Sequence, residues 1–266
     1  MKKFLDATPE ELSKIRGVCL DIDDTLSTQG KLTASSYESL WRLKEHGLKV
    51  VPITGRPAGW CDHFARFWPV DAVVGENGAF TFYMENQKRM RVNTPGGEAD
   101  ETKRKAQLTR LSEKIRAQIS KATFASDQNY REYDLAIDFC EDVPRWSSAE
   151  IDLLLKICET EKAHAKISSI HVNTWFGDYD KYSGFMHWLQ TVAAKKDASV
   201  LNTDQWVFIG DSPNDEPMFK QFKNSVAVAN LKPFVDKIKH HPRWITSRES
   251  GEGFSEFASH LIASKG

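Results

Sequence analysis

Gly17-Val18-Cys19-Leu20-Asp21-Ile22-Asp23-Asp24-Thr25-Leu26 is the stretch on which the reading of the whole chain turns. Small and apolar residues lead straight into two carboxylates spaced i and i+2. A short apolar run of this kind reads as a buried strand, of the sort found in parallel sheets, feeding a loop. Its acids then stand where the strand leaves the core, which is where open α/β sheets bind their ligands. Taken alone, the stretch leaves two readings open. Asp and Thr also cap helices, so a bare Asp-x-Asp serves equally well as a structural turn.

Three other segments weigh on that choice. An apolar run over residues 48–53 ends in Thr54-Gly55-Arg56-Pro57, and Asp180-Lys181-Tyr182-Ser183-Gly184 opens a helical pattern. The apolar residues 206–209 run into Gly210-Asp211-Ser212-Pro213-Asn214-Asp215-Glu216-Pro217. Each has a plain alternative: a turn before a helix, a solvated lysine, a loop rich in turn formers. Their order, with three of the four segments following apolar strands directly, favours a common site.

Working outward, residues 16–80 alternate strand and helix. Strands are expected at 18–22, 49–53 and 72–74, with helices at 35–46, closed by Gly47, and 57–68. The pattern resumes after Lys181 with a helix to about 195, the 206–209 strand, a helix from Glu216 and a strand at 225–229. This is the α/β signature of a doubly wound, mostly parallel, Rossmann-like core. Between the halves the character changes. Residues 81–84 and 89–92 read as a hairpin, 101–120 and 148–158 as amphipathic helices, and 133–139 and 167–175 as alternating strands. The expected organisation is a core of residues 1–81 and 179–266 with an inserted α+β domain over 82–178.

The chain of 266 residues carries a net charge of −1, 40% hydrophobic and 27% charged residues, ordinary values for a globular protein. Such a balance argues against general affinity for nucleic acid or an anionic membrane. Residues 1–16 lack the apolar core of a signal peptide, and no apolar stretch reaches spanning length. Thr8-Pro9-Glu10-Glu11 reads instead as a helix start. The four cysteines, Cys19, Cys61, Cys140 and Cys158, show no close metal-type spacing. A cytoplasmic location is therefore expected. Oligomeric state is not legible.

The four segments resemble, in order, the four motifs of the haloacid dehalogenase superfamily of phosphatases. Asp21-Ile-Asp23-Asp-Thr-Leu is similar to the first, Thr54-Gly-Arg-Pro to the second, Lys181 to the third and Gly-Asp211-x-x-Asn214-Asp215 to the fourth. Val74-Gly75-Glu76-Asn77-Gly78-Ala79 and the tail Ile245-Thr246 with Gly251-Glu252-Gly253-Phe254 resemble the Cof-type branch, which includes sucrose-phosphate and mannosyl-phosphoglycerate phosphatases. Prolines at 213 and 217 depart mildly from that branch.

The resemblance implies a Mg²⁺-dependent phosphomonoesterase. Asp21 would be the nucleophile that forms an aspartyl-phosphate, and Asp23 the acid that protonates the leaving alkoxide and then activates water. The metal set would be the Asp21 and Asp211 carboxylates and the Asp23 backbone carbonyl. Asp215 would serve either as an outer ligand or as a group orienting water and Lys181. Lys181, the Thr54 hydroxyl, the Gly55 amide and Asn214 would hold the phosphoryl oxygens. Superfamily members that retain their phosphoenzyme carry threonine at the position of Asp23, so an acid there implies hydrolysis.

The inserted module resembles the cap of this branch. Alternation over 167–175 places Ser169, His171, Asn173 and Trp175 on one face and Ile170 and Val172 on the other. An aromatic beside hydrogen-bonding groups suits a sugar ring, which makes His171 and Trp175 candidate specificity residues, with Arg131, Tyr133 and Arg145 weaker ones. A solvated sheet face, or Trp175 in a hinge, would show the same pattern. The expected substrate is a small phosphorylated metabolite, in particular a sugar phosphate. A phosphomutase or other phosphotransferase on the same scaffold is the alternative enzyme reading, and a non-catalytic phosphometabolite-binding protein the alternative outside catalysis.

Overall fold

The computed structural model describes residues 1–265. Its first part comprises β1 (Lys2–Lys3), α1 (Pro9–Leu12), β2 (Gly17–Leu20), α2 (Ala34–Glu45), β3 (Lys49–Pro52), α3 (Ala58–Phe67) and β4 (Val73–Gly75). Next come β5 (Phe80–Glu85), β6 (Lys88–Asn93), α4 (Glu101–Gln118), β7 (Thr123–Phe124), β8 (Asp134–Asp138), α5 (Ser148–Thr160), β9 (His164–Ile167) and β10 (His171–Trp175). The chain closes with α6 (Lys181–Thr191), β11 (Trp206–Gly210), α7 (Glu216–Gln221), β12 (Asn224–Ala227), β13 (Trp244–Ile245) and α8 (Ser250–Ala263).

Six strands form one sheet in the order β1-β13-β12-β11-β2-β3, every pairing parallel. A parallel strand has both faces covered, and its side chains point alternately to each. Val18 and Leu20 accordingly pack in a cluster with Leu40, Leu43, Phe254 and Leu261 from α2 and α8. Cys19, between them, joins Phe185, Leu189 and Phe208 on the opposite side. From β2 the chain winds outward to β3; from β11 it winds the other way to β12 and β13. The adjacent pair β2 and β11 is thus the topological switch point, where the connections diverge and leave a crevice at the carboxyl ends of the strands.

Helix boundaries follow local chemistry. Thr8 and Glu11 form a capping box with Pro9 at the first helical position, and Thr33 caps α2 through the Ser36 amide. Gly47, at φ +75°, closes α2. Over residues 101–176, a four-stranded antiparallel sheet, β7-β8-β10-β9, packs with α4 and α5 around Leu108, Leu111, Ile115, Ile137, Leu154 and Val172.

Two elements differ from expectation. Residues 167–175 are not one strand but the end of a hairpin. The Ser168 hydroxyl accepts from the His171 amide at 2.9 Å and donates to the His171 carbonyl at 3.0 Å, so 168–170 form the turn between β9 and β10. Serine at a turn competes with the ladder for backbone partners, and the expected alternation holds only from His171 onward. The β5–β6 hairpin pairs with β4, which is bridged to the core sheet through Ile53 and Val74. Phe80 and Phe82 anchor it beside Ile22, Cys61 and Phe64. By strand pairing it therefore extends the core side and does not join the four-stranded sheet. Among the described residues no helix is long and apolar enough to cross a membrane.

Candidate active site

Asp21 directly follows β2 and Asp211 directly follows β11, so the switch point brings two acids from distant parts of the chain side by side. The Asp21 amide donates to the Ile209 carbonyl at 2.9 Å, which ties the two strand ends together. Lys181, the first residue of α6, reaches across to both acidic loops. Its Nζ donates to Asp21 Oδ1 at 2.6 Å and to Asp215 Oδ1 at 2.7 Å, with all three side chains buried.

Backbone packing explains how lysine gets there. Gly78 has φ +111°, and a Cβ on it would collide with the Asp180 carbonyl, while a Cβ on Gly184 would collide with Gly78 itself. Two facing glycines let the start of α6 press onto the turn after β4, and Asp180 caps the helix through the Ser183 amide at 2.8 Å. On the other side, Gly210 leaves the space that the Asp215 carboxylate fills. Asp215 Oδ2 accepts from the Asp211 amide at 2.9 Å and the Ser212 amide at 3.3 Å. Both oxygens of Asp215 are thus engaged by protein donors.

Asp211 is held more lightly. Thr25 Oγ1 donates to Asp211 Oδ1 at 3.2 Å, and Asn230 Nδ2 lies 3.5 Å from Oδ2. One carboxylate oxygen from each of Asp21, Asp211 and Asp215 falls within 4.8 Å of the other two. Three buried acids face one ammonium, an excess of negative charge that a divalent cation would match, and all donors are the hard oxygens that Mg²⁺ takes. The donor set fits such an ion. The electrostatics show the same imbalance. Burial, reinforced by Asp215 and Asp23 and only partly opposed by Lys181, pushes the Asp21 carboxyl up to about 8. Burial and the neighbouring Asp21 and Asp215 push Asp211 upward as well. Burial works against the Lys181 charge, yet Asp21 and Asp215 hold its ammonium above the usual lysine range.

Asp23 faces a guanidinium. Arg56 Nε lies 3.0 Å from each Asp23 oxygen and Nη2 lies 2.8 Å from Oδ1. The same guanidinium reaches two acids of the insert, Glu141 Oε1 at 3.0 Å and Asp127 Oδ2 at 3.4 Å. His171 Nε2 lies 2.8 Å from Glu141 Oε2. The His171 contact first, and then Arg56, hold the Glu141 carboxyl down at about 2 against the effect of its burial. Thr54 is fully buried, its hydroxyl accepting from the Arg56 amide at 3.0 Å. Gly55 and Asn214 line the same cleft as Asp21, Asp23, Arg56, Arg131, Ser169 and His171. That cleft has room for only about 10 Å³, roughly one water. Beside it an open cleft of about 360 Å³ shares Asp23, Arg56 and Ser169 and runs out over Ser27, Gln29, Glu141 and Arg145.

The structure therefore gathers Asp21, Asp23, Gly55, Lys181, Asp211, Asn214 and Asp215, with Thr54 beneath them, and brings His171 to the cleft wall. It does not bring Trp175 there. Trp175 stacks between His164 and Tyr179 at centroid distances of 5.6 and 5.8 Å and packs with Phe80 and Tyr133. It keeps the face of His171 and Asn173, but as the last residue of β10 it sits at the junction back to the core and does not line the cleft. Asp127, Glu141 and Asn230 were not among the expected site residues, and Arg56 and Glu76 stood in quoted segments without an assigned role. Arg56 lies inside a motif already singled out, and a buried arginine needs acids to face it. The acids themselves stand in loops with no spacing signal.

Fold and site define a class of doubly wound α/β proteins that set acids from two strand ends and a lysine at the switch point of the sheet. The chain belongs to the haloacid dehalogenase-like hydrolase family, whose pattern matches residues 18–95 and 180–257. It is 26% identical over 253 residues to phosphoglycolate phosphatase 1 of Saccharolobus solfataricus, covering 93% of this chain and 96% of the relative. Protein 0175 of Thermoplasma acidophilum has a similar structure, with a TM-score of 0.69 and 21% identity over 93% of this chain and 98% of that one. The sucrose-phosphatase of Synechocystis, solved with sucrose and phosphate, matches with a TM-score of 0.63 and 16% identity over 92% and 97% of the two chains. The protein is a phosphatase of this family.

Proposed function

We propose that this phosphatase hydrolyses a sugar phosphate through an aspartyl-phosphate on Asp21, with Mg²⁺ as cofactor and residues 98–176 acting as a cap over the core. The observation that carries the reading is the Lys181 ammonium bridging Asp21 and Asp215 at the switch point. Lys181 both restrains the nucleophile and supplies positive charge for a dianionic phosphoryl group. The Gly55 amide and Asn214 would take its remaining oxygens, with the Thr54 hydroxyl shaping the loop beneath. Asp21 and Asp211, with the Asp23 backbone carbonyl, would hold the metal. Asp215, whose two oxygens already accept from Lys181 and two amides, positions the lysine. When bound, the cation offsets the repulsion between the Asp21 carboxylate and the substrate.

Attack by the Asp21 carboxylate on phosphorus breaks the ester P–O bond, and the leaving oxygen takes a proton from Asp23, which must first give up its Arg56 contacts and take that proton from solvent. The ionised Asp23 then removes a proton from water, which attacks the phosphoryl group and frees Asp21. Because Asp23 stands where the two clefts meet, the leaving group extends into the larger one. That space is lined by hydroxyl, amide and carboxylate groups suited to a polyol. The phosphoglycolate phosphatase relative supports a small phosphorylated substrate. Phosphate release from a panel of sugar phosphates and phosphoglycolate, with and without Mg²⁺, tests the proposal, using Asp21→Asn as control. Release that persists in Asp21→Asn, or that ignores metal, refutes it.

A further inference from the structure

Arg131 lies in the proposed cap, yet its guanidinium ends on the core. The side chain is fully buried. Nε donates to Asp127 Oδ1 at 3.0 Å, Nη2 to Asp127 Oδ2 at 3.3 Å, and Nη1 to Asp134 Oδ1 at 3.0 Å. Asp134 is itself steadied by Asn173 Nδ2 at 2.8 Å. The one bond that leaves the cap runs from Nη1 to the Gly55 carbonyl, at 2.8 Å.

Among the described residues, that carbonyl is the one in the 54–56 loop held by no donor of the core. The Thr54 carbonyl accepts from the Asn77 amide at 3.0 Å and the Arg56 carbonyl from the Glu76 amide at 3.2 Å, both within the core. Gly55, between them, is the residue freest to rotate, and Arg131 is the donor that fixes its carbonyl among the described residues. Rotation of this peptide would carry the Arg56 amide off the Thr54 hydroxyl and turn the loop. Two carboxylates already balance the Arg131 charge, so its contribution at Gly55 is geometric.

We propose that Arg131 is a positioning residue: it locks the Gly55 peptide from the cap, so that the phosphate-holding loop is set only while cap and core are together. This rests on the reading of Thr54 and Gly55 as the phosphate loop. It predicts that a cap substitution weakens binding of a ligand that has no leaving group to touch the cap.

The test uses inorganic phosphate on the full chain, measured by calorimetry and as a competitive inhibitor of aryl phosphate hydrolysis. Arg131→Met should weaken phosphate about tenfold or more and raise KM for aryl and sugar phosphates by the same factor. Arg131→Lys, which keeps one donor, should fall between Arg131→Met and wild type and serves if Arg131→Met does not fold. Val172→Ala, a buried packing change on the neighbouring strand, should lower Tm yet leave phosphate binding within about twofold. Phosphate affinity unchanged in both Arg131 variants, or lost equally in Val172→Ala, overturns the inference. A wild-type chain that binds phosphate but turns over no ester would instead overturn the functional reading, while the calorimetry still decides the role of Arg131.

Discussion

The crowding of buried acids at the switch point makes a quantitative prediction about metal and pH together. Burial raises the Asp21 carboxyl from its ordinary 3.8 to about 8 in the folded chain. The sign follows from linkage. Below about pH 4 Asp21 is protonated whether folded or unfolded, and its contribution to stability is fully present. As pH rises toward 8 the unfolded chain releases that proton while the folded chain keeps it, so stability falls. Each pH unit in this window costs about 1.4 kcal/mol for one such group. From pH 5.5 to 8 the metal-free protein should thus lose up to about 3 kcal/mol from Asp21 alone. Glu76, raised by burial to about 8 in the same way, adds to the decline but lies outside the acid cluster.

Mg²⁺ separates the two. Bound to the folded state only, at a hundred times its dissociation constant, it should stabilise by about 2.7 kcal/mol. For a chain of this size that corresponds to roughly 5–10 °C in Tm. At pH 5.5 the ion must displace protons from Asp21 and Asp211, so its effect shrinks. The assay is thermal unfolding at pH 5.5 and 8.5 with and without saturating Mg²⁺, repeated on Asp211→Asn. Stabilisation should be large at pH 8.5, small at pH 5.5 and nearly absent in the variant. An equal shift at both pH values, or one that survives in Asp211→Asn, refutes the assignment of the acid cluster as the metal site.

Gly78→Ala places a methyl group against the Asp180 carbonyl in a left-handed backbone and pushes the start of α6, with Lys181, off the acids. The free energy of unfolding should fall by about 1–3 kcal/mol with a disproportionate loss of kcat, whereas Gly47→Ala, strained but facing open space, should cost stability alone. Trp175→Ala should destabilise by about 3–5 kcal/mol and change turnover of sugar and aryl phosphates equally, since the indole packs at the junction; a selective loss on the sugar would place it back at the substrate. Glu141, held down at about 2, adds stability that is present above its ordinary 4.5 and lost as pH falls toward 2. Glu141→Gln should therefore flatten the decline in urea midpoint between pH 4.5 and 2.5, and an unchanged slope would show that Glu141 does not carry it.

What could be read from the sequence depended on where the physical cause lies. Core strands announce themselves because a parallel strand buried on both faces has to be nearly all apolar, as Val18-Cys19-Leu20 is, and the acids at their ends stand out by contrast. Hence Asp21 and Asp211 were legible from their strands, whereas Lys181, 160 residues from its first partner, joined them only through the order of the motifs and the family resemblance. The insert was legible as helices and strands but not as a surface. A turn at Ser168–Ile170 broke the run that alternation had joined, and Trp175, though it keeps the period, lies past the cleft because it ends the strand. Least legible was the web in which Arg56 meets Asp23, Glu141 and Asp127 and Arg131 meets Gly55. Its members sit on loops, where neither period nor spacing constrains a charged residue, and, Arg56–Asp23 aside, their pairing exists only once insert and core touch. The acids are therefore written locally at strand ends, whereas the contacts between insert and core are a property of the assembled fold.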